Sequence, residues 1–144
     1  MSVIVTFKPS FTLFASARDA ALASASQTTS AASQTGRNGL AITQRGSGND
    51  AALTQVGNQN WAVVSQSGAG NQFSGNQQGQ YNRVQTTQTG NNNQASVTQL
   101  GSADVAGVSQ VGNNDSVKIV QARSGAGIQV IQNGNGARAA VLMK

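Results

Sequence analysis

Residues 44–66 read QRGSGNDAALTQVGNQNWAVVSQ, and this stretch contains one pattern twice at a spacing of 11 residues. Each copy begins with Gln and has Gly two positions later and Asn five positions later. Small or apolar residues then occupy every second position up to the next Gln. A fixed period of this kind is typical of repeat architectures, in which each unit buries its surface against its neighbours.

The period runs through most of the chain without an insertion. Gln occupies the first position of nine successive units, namely Gln44, Gln55, Gln66, Gln77, Gln88, Gln99, Gln110, Gln121 and Gln132. The first five units carry the Asn, namely Asn49, Asn60, Asn71, Asn82 and Asn93. At the same position the next two units have Asp104 and Asp115, and the last two have Ala126 and Ala137.

The spacing within each unit predicts a β-strand. Asn, the two apolar positions and the next Gln share one parity, and residues of one parity share a face of a strand. A helix would require apolar residues at helical spacing, and a Gly in its interior would cost about 1 kcal/mol. We therefore predict a strand of about seven residues and a turn of about four residues in each unit, with Gly adopting a positive φ in the turn.

Two successive units form one rung of 22 residues. We predict an all-β, amyloid-like β-solenoid of five stacked strand-turn-strand rungs over residues 34–144. Stacking brings identical amides about 4.8 Å apart, where they can hydrogen-bond along the axis. Because terminal rungs leave backbone groups unpaired, another chain can be added there. The Gln and Asn columns are our candidate stacking and polymerisation residues.

Residues 1–33 precede the repeat and are predicted to be a leader. Two short apolar runs, 3–7 and 11–15, are followed by Ala15-Ser16-Ala17 and Ala23-Ser24-Ala25, which resemble small-residue cleavage sites. Two interpretations remain: a secretory signal, and an unstructured leader that is not cleaved. No run approaches the roughly 18 apolar residues of a membrane-spanning helix, so we predict no transmembrane segment.

The composition disfavours catalysis and nucleic-acid binding. The chain has no Cys and no His, and only 9% of its residues are charged, against about 25% in an ordinary domain. General acid–base catalysis and the binding of hard metal ions need clustered carboxylates or imidazoles. We therefore predict no enzyme activity, no cofactor and no metal. The net charge of +5 is scattered, whereas nucleic-acid binding requires a clustered basic stripe.

The repeat from Gln44 to Gln132, with Asn49 at its internal position, resembles the curlin repeat of bacterial curli subunits over residues 34–142. The resemblance implies a secreted subunit of a surface amyloid fibre that serves cell adhesion and the biofilm matrix. It also implies several partners: further copies of the chain, a companion curli subunit, a secretion pore with assembly factors, and the cell surface. The family has a major fibre-forming subunit and a minor nucleating one. The degenerate, basic final repeat is more similar to the minor subunit.

Seven charged residues have two interpretations each. Asp50, Asp104 and Asp115 are candidate gatekeepers, because stacked like charges would resist premature assembly; the alternative is simple turn chemistry. The basic residues assigned to the last rung are candidates for attachment to an anionic cell surface, and the alternative is solvated charge. These basic residues are Lys118, Arg123, Arg138 and Lys144.

Two other classes of protein fit part of the pattern. A monomeric β-solenoid binding protein, such as an ice-binding protein, is suggested by hydroxyl residues directly before several of the Gln positions. They are Thr43, Thr54, Ser65, Thr87, Thr98 and Ser109. The neighbouring outward positions vary, which disfavours a flat ice-binding face. A disordered prion-like tract is disfavoured by the strict phase of the repeat.

Overall fold

The computed structural model describes residues 2–8, 11–16, 26–32 and 38–144. Throughout these residues the regular structure is β-strand, with no helix. The thirteen strands are β1 Ser2–Lys8, β2 Phe11–Ser16, β3 Ser26–Ala32, β4 Gly39–Ser47, β5 Asp50–Asn58, β6 Trp61–Ala69, β7 Gln72–Gln80, β8 Arg83–Asn91, β9 Gln94–Gln99, β10 Val105–Asn113, β11 Ser116–Gln121, β12 Gly127–Asn135 and β13 Arg138–Met143.

The repeat strands alternate between two parallel sheets. One sheet has the order β13-β11-β9-β7-β5-β1-β2, and the other has the order β12-β10-β8-β6-β4-β3. Each repeat strand pairs with the strand two further along the chain, so that Gln44 lies opposite Gln66 and Gly46 opposite Gly68. Successive strand pairs from β4–β5 to β12–β13 are rungs 1 to 5. The predicted five-rung β-solenoid with a 22-residue rung is confirmed.

The strands are longer than we predicted, and the turns are shorter. Seven of the ten repeat strands contain nine residues. Only Gln59 and Asn60 separate β5 from β6. The difference arises because the parallel pairing continues beyond each Gln through the Gly that we had placed in the turn. Two of the shorter strands, both in one sheet, end at the Gln position: β9 ends at Gln99 and β11 ends at Gln121. In this sheet the row of glycines that follows the Gln positions ends at Arg123.

The inward faces of the two sheets form a narrow core of small and apolar side chains between the Gln and Asn columns. The core side chains vary in size, and a large side chain in one position is matched by a small one beside it. A Cβ added to Gly75 would lie 2.9 Å from two ring carbons of Phe73 and would collide with the Leu53 side chain. The ring therefore fills the space that Gly75 leaves. Thr86 is the exception: its hydroxyl is fully buried and has no hydrogen-bond partner.

The glycines that follow the Gln columns are required by the next rung. Gly46, Gly68 and Gly90 have φ values of +101°, +119° and +115°. A Cβ on any of them would collide with the carbonyl oxygen of the glycine one rung later. Gly134 has a φ of +136°, but a Cβ there would meet nothing within 4 Å because no rung follows it. Glycine is therefore required at positions 46, 68 and 90 for two reasons: the backbone has a positive φ, and the next rung leaves no space for a Cβ.

The N-terminal strands lie along rung 1. β1 pairs in parallel with β5 and antiparallel with β2, while β3 pairs antiparallel with β4. The second cleavage-like motif, at residues 23–25, lies outside the described residues. The leader predicted for residues 1–33 therefore stays a prediction.

We predict that Gly90→Ala destabilises the fold more than Gly134→Ala. Both substitutions place Ala at a positive φ, which costs about 1–3 kcal/mol. Gly90→Ala must also displace the carbonyl of Gly112, which adds about 1–3 kcal/mol of overpacking. Urea denaturation followed by circular dichroism measures both losses, and equal losses would contradict the steric requirement.

Candidate functional site

Two ladders of glutamine amides run through the interior, one along each sheet. Except at Gln121 and Gln132, which end the ladders, each Nε2 donates a hydrogen bond to the Oε1 of the glutamine one rung later, over distances of 2.7–3.0 Å. One ladder contains Gln44, Gln66, Gln88, Gln110 and Gln132. The other contains Gln55, Gln77, Gln99 and Gln121.

Each interior glutamine also joins the two sheets. Gln66 Nε2 donates to the Asp50 carbonyl at 3.0 Å, and Gln77 Nε2 donates to the Trp61 carbonyl at 3.2 Å. Both hydrogens of these amides are therefore used, as a buried amide requires. Apart from Gln132, which is 6% exposed, every ladder glutamine is at most 1% exposed. The ladders thus connect successive rungs with one another and connect the two sheets across the core.

The asparagine side chains clamp the turns. Asn60 Nδ2 donates to the Val56 carbonyl near the end of β5 at 3.2 Å and to the Gly79 carbonyl near the end of β7 at 3.0 Å. Asn60 Oδ1 accepts the backbone N–H of Asn82 at 3.1 Å. The same contacts recur at Asn49, Asn71, Asn82 and Asn93. Each clamp therefore fixes its own turn and binds the following one.

Asp104 and Asp115 occupy the clamp position but make only part of its contacts. Their Oδ1 atoms accept the backbone N–H groups of Ala126 at 2.9 Å and Ala137 at 2.8 Å. Their Oδ2 atoms are buried without a hydrogen-bond partner, because a carboxylate oxygen cannot donate to the turn carbonyls as Nδ2 does. The two residues lie in different columns, so within one chain neither carboxylate stacks on the other. Asp50 is exposed at the start of β5.

The basic residues extend over two rungs rather than one. Lys118 and Arg123 belong to rung 4, and Arg138 and Lys144 belong to rung 5. All four side chains are exposed. In the sheet register Arg138 lies opposite Ser116, and Ala140 opposite Lys118, so the chain has no stacked pair of basic residues at these positions.

The hydroxyl residues before the Gln positions divide between the two sheets. One sheet carries Thr43, Ser65, Thr87 and Ser109, and this row ends at Ile131. In the other sheet, Thr54 and Thr98 are separated by Asn76 and followed by Val120. Neither sheet therefore presents a paired array of threonines.

Sequence reasoning missed a third, exposed ladder. The side-chain Oδ1 atoms of Asn91, Asn113 and Asn135 accept the backbone N–H of the equivalent residue one rung earlier, at 2.9–3.0 Å. Their spacing of 22 residues could have revealed them. Asn38 was also missed as a clamp: its Nδ2 donates to the Gly57 carbonyl at 2.9 Å, and its Oδ1 accepts the Asn60 N–H.

Within the described residues, no group of three or more His, Cys, Asp and Glu side chains could hold a metal ion. In the same part of the chain no helix is long and apolar enough to cross a membrane. Most of the buried polar side chains instead belong to the amide columns, which hydrogen-bond along the stacking axis and across the core.

A parallel β-solenoid with internal glutamine ladders and asparagine-clamped turns defines a structural repeat protein. The family model for the curlin-associated repeat matches residues 37–68, 46–79 and 90–122, which together cover slightly more than half of the chain. The chain belongs to the curlin-repeat family, and the resemblance found in its sequence is confirmed. Neither a curated protein nor a solved structure gives a significant match.

We predict that Gln77→Met destabilises the solenoid strongly, whereas Gln78→Met does not. The first substitution leaves the buried amides of Gln55 and Gln99 without one partner each, at about 1–3 kcal/mol per group. Gln78 is exposed and adjacent, so its change should stay within about 0.5 kcal/mol. Denaturant unfolding compares the two, and similar losses would show that the ladder contributes nothing specific.

We predict that Asp104→Asn and Asp115→Asn each stabilise the fold. Replacing the unpartnered Oδ2 with an amide group restores a donor to the turn carbonyls and should add about 1–3 kcal/mol to the free energy of unfolding. Asp50→Asn is the matched control at an exposed position and should change little. A loss of stability in either buried variant would contradict the assignment of these residues as incomplete clamps.

Proposed function

We propose that this chain is a structural subunit of an extracellular curli-type amyloid fibre, which polymerises or nucleates by end-to-end strand addition. The observation that carries the proposal is the pair of glutamine ladders, which repeat the same inter-rung hydrogen bond through the solenoid. The proposed stacking and polymerisation residues are the glutamine and asparagine columns described above. At the N-terminal end a further rung of the same chemistry can extend both ladders, and at the C-terminal end it can extend the ladder that ends at Gln132.

Physical considerations favour assembly over a solitary particle. Ordering the backbone costs about 1–2 kcal/mol per residue, and a single rung has too few apolar side chains to offset that cost. Stability therefore comes from neighbouring rungs. β12 and β13 are edge strands of their sheets, and an edge strand presents unpaired N–H and C=O groups to another chain.

Family membership supports the cellular part of the proposal. We propose that the chain is secreted and that residues 1–33 act as its leader. We further propose that the fibre serves adhesion and the biofilm matrix. Its partners would be further copies of the chain, a companion curli subunit, and the secretion pore with its assembly factors. The exposed basic residues of rungs 4 and 5 are candidates for contact with an anionic cell surface. Their position at the degenerate end favours a nucleating role over that of the major subunit.

The proposal is tested by following the purified protein with thioflavin T and sedimentation, with and without preformed seeds. We expect pelletable, β-rich fibres with a 4.7–4.8 Å axial reflection, since rungs stack at the strand spacing. Gln77→Met should slow assembly, whereas Gln78→Met should leave the rate unchanged. A protein that stays monomeric at all concentrations, or fibres without that reflection, would contradict the proposal.

A further inference from the structure

The glutamine–glutamine bonds and the clamp Oδ1 contacts between rungs have one direction, opposite to that of the third, exposed ladder of asparagines. Rung 1 provides four of them to rung 2: Gln44 and Gln55 donate through Nε2 to the next glutamines, while Asn38 and Asn49 accept the next backbone N–H through Oδ1. All four side chains belong to the earlier rung and reach towards the later one. The two ends of the solenoid therefore differ in what they can offer.

The N-terminal face of rung 1 lacks the contacts that an earlier rung would supply. Gln44 Oε1 and Gln55 Oε1 are buried and have no hydrogen-bond partner in the described part of the chain. In every later rung the corresponding oxygen accepts from a glutamine, except where Met143 replaces that residue. An unsatisfied buried acceptor is costly, so this face favours a partner that brings two amide donors in register.

The C-terminal face of rung 5 cannot supply those contacts in full. Its two clamp positions hold Ala126 and Ala137, and one ladder position holds Met143, which has no donor. Gln121 Nε2 accordingly donates to the Ala126 carbonyl at 2.9 Å instead of to a glutamine. Gln132 alone keeps the ladder chemistry, with a bond to the Ser116 carbonyl and one N–H left over.

Arg123 also departs from the repeat, one rung earlier, in the turn that follows β11. It occupies the column of Gly57, Gly79 and Gly101, where a following rung leaves no space for a Cβ. Even at Gly101, whose φ is not left-handed, a Cβ would lie 2.9 Å from the backbone nitrogen of Ser124 in the next rung. Arg123 therefore breaks the glycine column before rung 5 begins.

We propose that the N-terminal face of rung 1 docks a companion curlin-repeat subunit whose terminal rung carries Gln at both ladder positions and Asn at both clamp positions. This inference rests on the proposed fibre function and specifies its partner and polarity. A second copy of this chain offers only Gln132, one of the four matching side chains. The C-terminal face of this chain is accordingly expected to dock on rung 1 of another copy more slowly than the matched companion does.

The docking face is occupied by the N-terminal strands in this structure. β1 places Phe7 opposite Gln55, and Phe has no hydrogen-bond donor for a glutamine ladder. β3 places Gln27 opposite Gln44 but runs antiparallel to β4, against the parallel order of the solenoid. The companion subunit must displace these strands, and it brings an amide to Gln55 and a parallel strand to β4.

The test uses a full-length probe made from this chain, with Arg123→Gly, Ala126→Asn, Ala137→Asn and Met143→Gln. The last three changes give its last rung the complete set of matching side chains, and Arg123→Gly restores the glycine column in rung 4. Fluorescently labelled probe and labelled wild-type protein are each added to surface-held wild-type protein, and single-molecule microscopy measures the rate of stable addition. We expect the probe to add at least roughly tenfold faster, which corresponds to the restoration of a few hydrogen bonds.

Variants of the surface-held protein identify the face. Gln44→Leu with Gln55→Leu should abolish the preference for the probe, whereas the exposed pair Gln72→Leu with Gln78→Leu should preserve it. Circular dichroism of each variant verifies that the remaining rungs are folded. Val5→Pro should accelerate addition of the probe, because Pro removes a ladder hydrogen bond from β1, which has neighbours on both sides.

Two results would overturn the inference in distinguishable ways. If the wild-type label adds as fast as the probe, fibres form but the proposed partner and polarity are wrong. If neither label adds and no fibre forms at any concentration, the proposed fibre function fails as well. A preference for the probe that survives the Gln44 and Gln55 substitutions would place docking on another surface and would also overturn the inference.

Discussion

The hydrogen bond between one glutamine amide and the next, 22 residues later, is the interaction on which the rest of the structure depends. A buried amide has two donors and must place both of them. Gln66 does so by binding Gln88 along the axis and the Asp50 carbonyl across the core. This geometry fixes the register of the sheets and the distance between them, so the core accepts only small or compensating side chains.

The same constraint explains why the chain has so few large apolar residues. A core that is only two side chains deep has no room for an ordinary hydrophobic cluster, and Phe73 is accommodated only because Gly75 leaves space. Polar bonding along the axis and backbone pairing at both edges of each rung replace much of the burial that stabilises a globular domain. The regular repetition of hydrogen bonds therefore takes the place of a large hydrophobic core, and each rung depends on its neighbours.

The architecture could be predicted from the sequence because the 11-residue period assigns every residue a face and a column. Gln44 and Asn49 could be placed in the interior in this way. Strand length could not be predicted, because nothing in the pattern indicates that a glycine with positive φ, such as Gly46, still pairs with the neighbouring strand. The direction of the side-chain bonds required coordinates.

The 22-residue register also constrains how such a gene can change in length. Unequal crossing-over that removes or duplicates one whole rung keeps every surviving Gln opposite a Gln and every Gly opposite a Gly, as in the pairing of β4 with β6. A change of a few residues instead places side chains under the glycine carbonyls, where no Cβ fits. The number of repeats can therefore change by whole rungs, while single-codon insertions within the solenoid are selected against.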